Sequence, residues 1–480
     1  MRKRRFAWMI AMVAFALVVA ACGGDDDTGA TTTAAGGATT TTAAAATTTA
    51  ASATTTTGAA ATTTAAGAEV VADVGVDVEN KVIKIGYLAD LTGPFSPLVI
   101  DITDAQRIYW DKVNAEGGIG GGWTVELVVE DTAYNVEQHQ EKYAKISDEV
   151  LALGQSTGSP TSVATLPQMV EDDMLFIPLS WYSGWGIPEF DGGLALEQNT
   201  NYCIEAMNIV GFMHDEKGAQ KVALVTFPGD YGQDAAAGVK KAIEFYGMEL
   251  VYDGEAAVIP GQDQTPVITE IVNSGADMVF ATTNPSTFAE ILGGAFQGGY
   301  QGLWTGSVPT YDFRLLDSPV GPILEQVYFQ PSYGVTWGTD VPGMAAMQEA
   351  IKAADPERRP SDAFVIGWTE SIVIHNVLEA AIASGDLTRA GVKAAANSIT
   401  DVDFGGLAPN QSYAGTPNEY VQRQISMFQP SLTAYTEAGG ATQTVSQEGG
   451  GTTGSVLLKD YFVSDAAAEF EFTAPCYSLS

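Results

Sequence analysis

From residue 82 onward the chain alternates short β-prone runs with helical patterns, and past residue 220 it begins the alternation again. Residues 82–88 form the first run. A turn at Leu91-Thr92-Gly93-Pro94 precedes a helical pattern over 101–116, in which Ile102, Ala105, Ile108, Tyr109 and Val113 recur at near-helical spacing before Gly117-Gly118 ends it. A strand at 125–130, a helix at 135–150, and strands at 151–154 and 175–178 around a helix at 161–171 continue the series. The restart has a strand at 221–227, a Gly/Asp turn over 228–232, a helix at 233–246, and strands at 248–253, 278–282, 302–306 and 327–330. Helices at 343–354 and 364–384 and strands at 424–428 and 455–462 complete the reading. Strands alternating with amphipathic helices predict mostly parallel sheets covered on both faces, with ligands at the strands' carboxyl ends. With 480 residues available, two similar lobes fit better than one oversized sheet.

The N-terminal eighty residues follow different rules. Arg2 to Arg5 are basic, an apolar run extends from Phe6 to Val19, and small residues lead into Cys22, the pattern of an export signal over 1–21. Leu17-Val18-Val19-Ala20-Ala21-Cys22 resembles a bacterial lipobox, which implies that Cys22 is the lipidated first residue of the mature protein. Residues 28–68 are all Gly, Ala, Ser or Thr and offer nothing to bury, so 22–80 reads as a disordered tether and folded sequence is expected near Lys81. Acidic residues outnumber basic ones by 58 to 22, which argues against nucleic acid as a partner. Three cysteines and three histidines without metal-ligand spacing predict neither a metal nor a cofactor.

Three segments in order carry a resemblance: Gly86-Tyr87-Leu88-Ala89-Asp90-Leu91-Thr92-Gly93-Pro94, then Asn114-Ala115-Glu116-Gly117-Gly118-Ile119-Gly120, then Tyr231-Gly232. Together they resemble the type I periplasmic binding proteins, and within them the leucine/isoleucine/valine-binding branch that serves ABC importers. The resemblance implies two doubly wound, Rossmann-like lobes joined by a hinge that the chain crosses three times. The lobes would comprise 81–206 plus 331–425 and 207–330 plus 426–480. It also implies a non-enzymatic monomer, lipid-anchored outside the cytoplasm, that closes over a small molecule and hands it to a permease. A surface sensor on the same fold is the alternative.

The site residues follow from that frame. Thr157, Gly158 and Ser159 open a helix after a strand and offer hydroxyls and free N–H groups to a carboxylate or carbonyl. Ser180, Trp181 and Tyr182 follow the fourth strand, and Tyr231 matches an aromatic cleft wall of the family. Asn284 and Ser307 lie in second-lobe turns. The family's amino-acid clamp looks altered: Val308 falls where an acid pairs with the ligand's ammonium, Asn284 where an aromatic stands, and Trp181 where a small hydroxyl residue stands. Asp312 lies near enough to replace the acid. These departures predict a ligand with an apolar or planar part and an amide, urea or carboxylate end held by Ser159 and Ser180. Gly154-Gln155-Ser156-Thr157-Gly158 is also a literal G-x-S-x-G, but a serine hydrolase requires a histidine downstream, and His214 and His375 both fall in helical patterns. Cys203 and Cys476 are either a disulfide, as suits an exported protein, or two buried thiols.

Overall fold

The computed structural model describes residues 70–478. The leader, Cys22 and the Thr/Ala-rich tract lie outside the described residues.

Paired strands are already present ahead of the expected Lys81. The strands β1 (Val71–Ala72) and β2 (Val76–Asp77) are too short to show a local pattern. They form because partners elsewhere in the chain supply their hydrogen bonds. The first sheet runs through β3 (Val82–Ala89), β4 (Thr124–Asp131), β5 (Ala152–Thr157) and β6 (Phe176–Leu179). Its parallel order is β4-β3-β5-β6, with β2 antiparallel against the start of β3. The second contains β7 (Lys221–Thr226), β8 (Glu249–Gly254), β9 (Met278–Thr282), β10 (Leu303–Gly306) and β11 (Tyr328–Ser332), in the parallel order β8-β7-β9-β10-β11. The pair β1 and β12 (Asp386–Leu387) is separate. β13 (Ile425–Pro430) and β14 (Ser455–Phe462) extend the second sheet antiparallel.

Both sheets therefore share one winding: the second strand lies on one side of the first, and the third and fourth on the other. Strand order reverses between β3 and β5 in one sheet and between β7 and β9 in the other. A crevice opens at such a point beyond the strands' carboxyl ends. The chain passes between the sheets after β6, after β11 and before β13, since the helices Pro342–Ala354 and Ala363–Ser384 pack with the first sheet. Helix Ala363–Ser384 crosses helix Ser96–Ala115 closely, and a Cβ on Gly367 would stand 2.1 Å from the carbonyl oxygen of Ile102. Only glycine permits that approach.

Three helices start earlier than their apolar periodicity suggests: Ser96–Ala115, Ser159–Glu171 and Asp230–Tyr246. In the first two a proline occupies the opening turn, where its fixed φ suits a helix and its missing N–H costs nothing. The second lobe's helix Tyr202–Lys217 carries Cys203, which is joined to Cys476 with Cα atoms 6.3 Å apart. The bond ties the C-terminal tail beside the loop after β6, where Tyr182 donates its hydroxyl to the carbonyl of Tyr477.

Candidate functional site

The turns after the carboxyl ends of both sheets converge on one cavity of about 110 Å³. The first lobe contributes Phe95 after β3, Tyr134 after β4, Thr157 and Gly158 at the end of β5, and Trp181 after β6. The second contributes Tyr231 after β7, and Val308, Tyr311 and Phe313 after β10. Tyr202 and Tyr333 come from the segments that pass between the sheets. The rings pack on one another: Phe95 meets Tyr231 at 6.2 Å between centroids, Tyr202 meets Tyr231 at 4.7 Å, and Trp181 meets Tyr333 at 4.8 Å. The Trp181 indole is fixed by donating Nε1–H to the carbonyl of Gln198 at 2.9 Å.

Local backbone conformation makes this possible. Ala133 and Tyr134 both lie at positive φ, 49° and 54°, which turns the Tyr134 ring toward Phe95. Gly158, at φ 93°, lies under that ring, and a Cβ there would come within 2.5 Å of it. Strained conformations of this kind collect where a site demands them.

The lobes are closed against each other. At the rim Asp101 of helix Ser96–Ala115 accepts from Arg314 of the second lobe at 2.5 Å and from Arg358 at 2.6 Å. On the other side Asp234 accepts from the backbone N–H of Ser183 at 3.0 Å and from its hydroxyl at 2.5 Å. Burial pushes the Asp234 carboxyl up to about 7 even though these donors pull the other way.

Of the residues singled out from sequence, Thr157, Gly158, Trp181 and Tyr231 line the cavity. The structure does not bring Ser159, Ser180, Tyr182, Asn284 or Ser307 into its wall. Ser159 and Ser180 are buried and satisfy each other, their hydroxyl oxygens 2.5 Å apart, and Ser180 also accepts from the Trp185 indole. Tyr182 packs into an aromatic cluster with Trp185 and Phe190. Asn284 caps helix Pro285–Gln297, accepting from the N–H of Thr287 at 2.9 Å. Ser307 is fully buried, with its hydroxyl beside the Glu205 carboxyl. Asp312 reaches the cavity but is committed to Arg314 at 2.8 Å. Burial pushes its carboxyl up to about 6 even with that guanidinium beside it.

Phe95, Tyr134 and Tyr333 were missed, although each follows the carboxyl end of a strand that the sequence located. The rule for parallel sheets would have found them had it been applied to every turn.

Ser156 of the G-x-S-x-G segment lies inside β5, fully buried, facing helix Val136–Ile146 and not the cavity. A histidine does reach it, from upstream: His139 Nε2 is 3.1 Å from its hydroxyl. Requiring a downstream base had excluded this contact. His139 is itself fully buried, its Nδ1 has no partner, and burial pushes its pKa down to about 3. The pair has neither an orienting acid nor access for a substrate.

Residues 82–431 match the family model described as periplasmic binding protein. The chain belongs to the periplasmic binding protein family. The match spans both sheets up to β13, and the fold is that of the type I members, which bind solutes for ABC transporters and are not enzymes. A fatty acid ABC transporter substrate-binding protein from Thermomonospora curvata is similar over 84% of this chain and 98% of its own, at 26% identity and a TM-score of 0.74. A branched chain amino acid ABC transporter protein from Thermus thermophilus, solved with valine, covers 82% and 99% at 17% identity and a TM-score of 0.68. A solute binding protein from Rhodopseudomonas palustris HaA2, in complex with p-hydroxybenzoic acid, covers 80% and 97% at 17% identity and a TM-score of 0.63. No curated protein matches the chain. Membership places this binding protein outside the cytoplasm. Among the described residues no helix is long and apolar enough to cross a membrane.

Proposed function

We propose that this binding protein is a receptor, lipid-anchored through Cys22, that captures one small molecule with an apolar or aromatic portion and delivers it to an importer's permease. The observation that supports this reading is the cavity wall: aromatic rings from both lobes face one enclosed space, and Lys, Arg and His are absent among its described lining residues. Burying an apolar surface of that kind favours binding without any charge pairing. Closure supplies contacts absent from an open form. Phe95 then meets Tyr231, and Arg314 meets Asp101 at the rim, so a ligand that bridges the rings shifts the population toward the closed state. A volume of about 110 Å³ suits a compact molecule of on the order of ten non-hydrogen atoms. Loss of the family acid at Val308, an apolar residue in the wall, moves the preference away from branched-chain amino acids.

The test is mass spectrometry of small molecules released from protein purified out of the envelope fraction. A compact aromatic or apolar compound in stoichiometric amount is the expected result. Leucine, isoleucine or valine in that amount would sink the specificity reading. Cys22→Ser should move the protein from the membrane fraction to the soluble one, and retention there would remove the lipid anchor from the proposal.

A further inference from the structure

Past β14 the chain first packs on the second lobe. Ahead of helix Asp465–Glu469 the Ser464 hydroxyl donates to the carbonyl of Met207 at 3.1 Å, and the Ser464 N–H donates to the Asn208 side chain at 2.7 Å. The tail then crosses to the other lobe. The loop Ser183–Gly186 belongs to the first lobe, since Trp185 packs on Phe176 of β6 at 5.5 Å between centroids and donates to the Ser180 hydroxyl. Cys476 donates its N–H to the Ser183 hydroxyl at 2.8 Å, and Tyr182 donates its hydroxyl to the Tyr477 carbonyl at 2.7 Å. Phe472 is 2% exposed, and a Cβ on Gly186 would stand 3.2 Å from its ring. Tyr477 reaches back with its N–H to Asp234 at 3.3 Å, the same second-lobe carboxyl that accepts from Ser183. At this crossing point the Cys203–Cys476 bond fastens the tail to helix Tyr202–Lys217.

We propose that the disulfide-bonded tail is a strap that holds the first-lobe loop 182–186 against the second lobe and biases the molecule toward closure. A chain end gives up conformational freedom when it is ordered, and an end held by a few hydrogen bonds frays. Fixing Cys476 covalently to the second lobe removes much of that cost, because the tail then meets the first-lobe loop as a partner already in place. Opening the cleft has to part Ser183 from both Asp234 and Cys476, and Tyr182 from Tyr477, since each pair has one member on either side of the lobe boundary. With the bond intact these contacts re-form together whenever the lobes meet. Without it the tail stays loose and the Ser183–Asp234 contact stands alone. The consequence extends across the cleft, because Phe95 against Tyr231 and Asp101 against Arg314 depend on the same movement of one lobe on the other.

Hydrogen exchange of the full-length protein, with no ligand added, reads the strap without depending on what the cavity binds. In the double variant Cys203→Ser, Cys476→Ser the amides of the tail should exchange severalfold faster, and so should those across the cleft at residues 96–101 and 308–314. Residues 370–384, in the core of the first lobe, should keep their wild-type protection. Tyr182→Phe keeps the disulfide and removes one tail contact, so it should move the same cross-cleft amides in the same direction by a smaller factor. Faster exchange confined to the tail would overturn the strap and leave a fastening of the tail alone. A uniform rise across both lobes would overturn it as well, by making the disulfide a general stabilising bond. Should the double variant fail to fold, Tyr182→Phe decides: unchanged exchange across the cleft in that variant overturns the proposal.

Discussion

Hydroxyl groups on the two sides of the cavity are placed differently: the first-lobe serines lie off the wall and Tyr333 lies on it. In the first lobe Ser156 is engaged by His139 and Ser162, and Ser159 by Ser180, which also receives the Trp185 indole. In the second lobe Ser307 and Tyr333 flank the buried Glu205 carboxyl, and Tyr333 also lines the cavity. A satisfied buried hydroxyl holds its own lobe together. One on a cavity wall can also meet a ligand atom. The comparison teaches that a serine's place after a strand does not make it a ligand contact; what its oxygen already bonds decides that.

The largest expected effect comes from the ring that joins the two sides. Trp181→Ala removes a nearly fully buried indole that touches both Tyr202 and Tyr333. It should cost about 3–5 kcal/mol of stability and abolish binding of any aromatic probe, as read by denaturant titration and calorimetry. Retained affinity would separate the first-lobe wall from the ligand site.

The second test uses titration, where His139 and Glu205 should respond with opposite sign. His139 has a folded-state pKa of about 3 against an ordinary 6.5, so the unfolded chain takes the proton first and stability falls as pH drops from 6.5 toward 3. Burial pushes Glu205 up to about 8 from an ordinary 4.5. The folded state then keeps a proton that the unfolded chain has lost, and stability falls as pH rises from 4.5 through 8. Each loss is on the order of a few kcal/mol. Thermal melts across pH should show His139→Gln flattening the acid limb and Glu205→Gln the alkaline limb. The same variant flattening both limbs would break the assignment.

The smallest effects should sharpen the contrast most. Ser180→Ala removes a satisfied hydroxyl and should lower stability by about 1–2 kcal/mol with affinity unchanged. Tyr333→Phe removes a hydroxyl of a residue that lines the cavity, so stability should stay within about 1 kcal/mol while affinity falls. An exchange of these two outcomes would reverse the roles given to the lobes.

Much of the fold was legible. The strands at Met278–Thr282 and Ser455–Phe462 were located to the residue, because β-prone runs bounded by turns carry a strong local signal. Helix starts were less legible, since a proline in the first turn reads as part of the preceding loop. Of the turn residues read from sequence, Thr157, Gly158, Trp181 and Tyr231 stand on the cavity wall, while Ser159 and Ser180 of the same turns bond each other off it, a pairing that no local signal carries.

The sequence by itself determined the alternating strand and helix order and its restart past residue 220, because periodicity and turn chemistry are local properties. Only the tertiary structure decided which polar groups become one another's partners. Glu205 meets Val308 across 103 positions of chain within the second lobe and Asp101 meets Arg314 across 213 between the lobes, and no local pattern encodes contacts between residues that far apart in sequence.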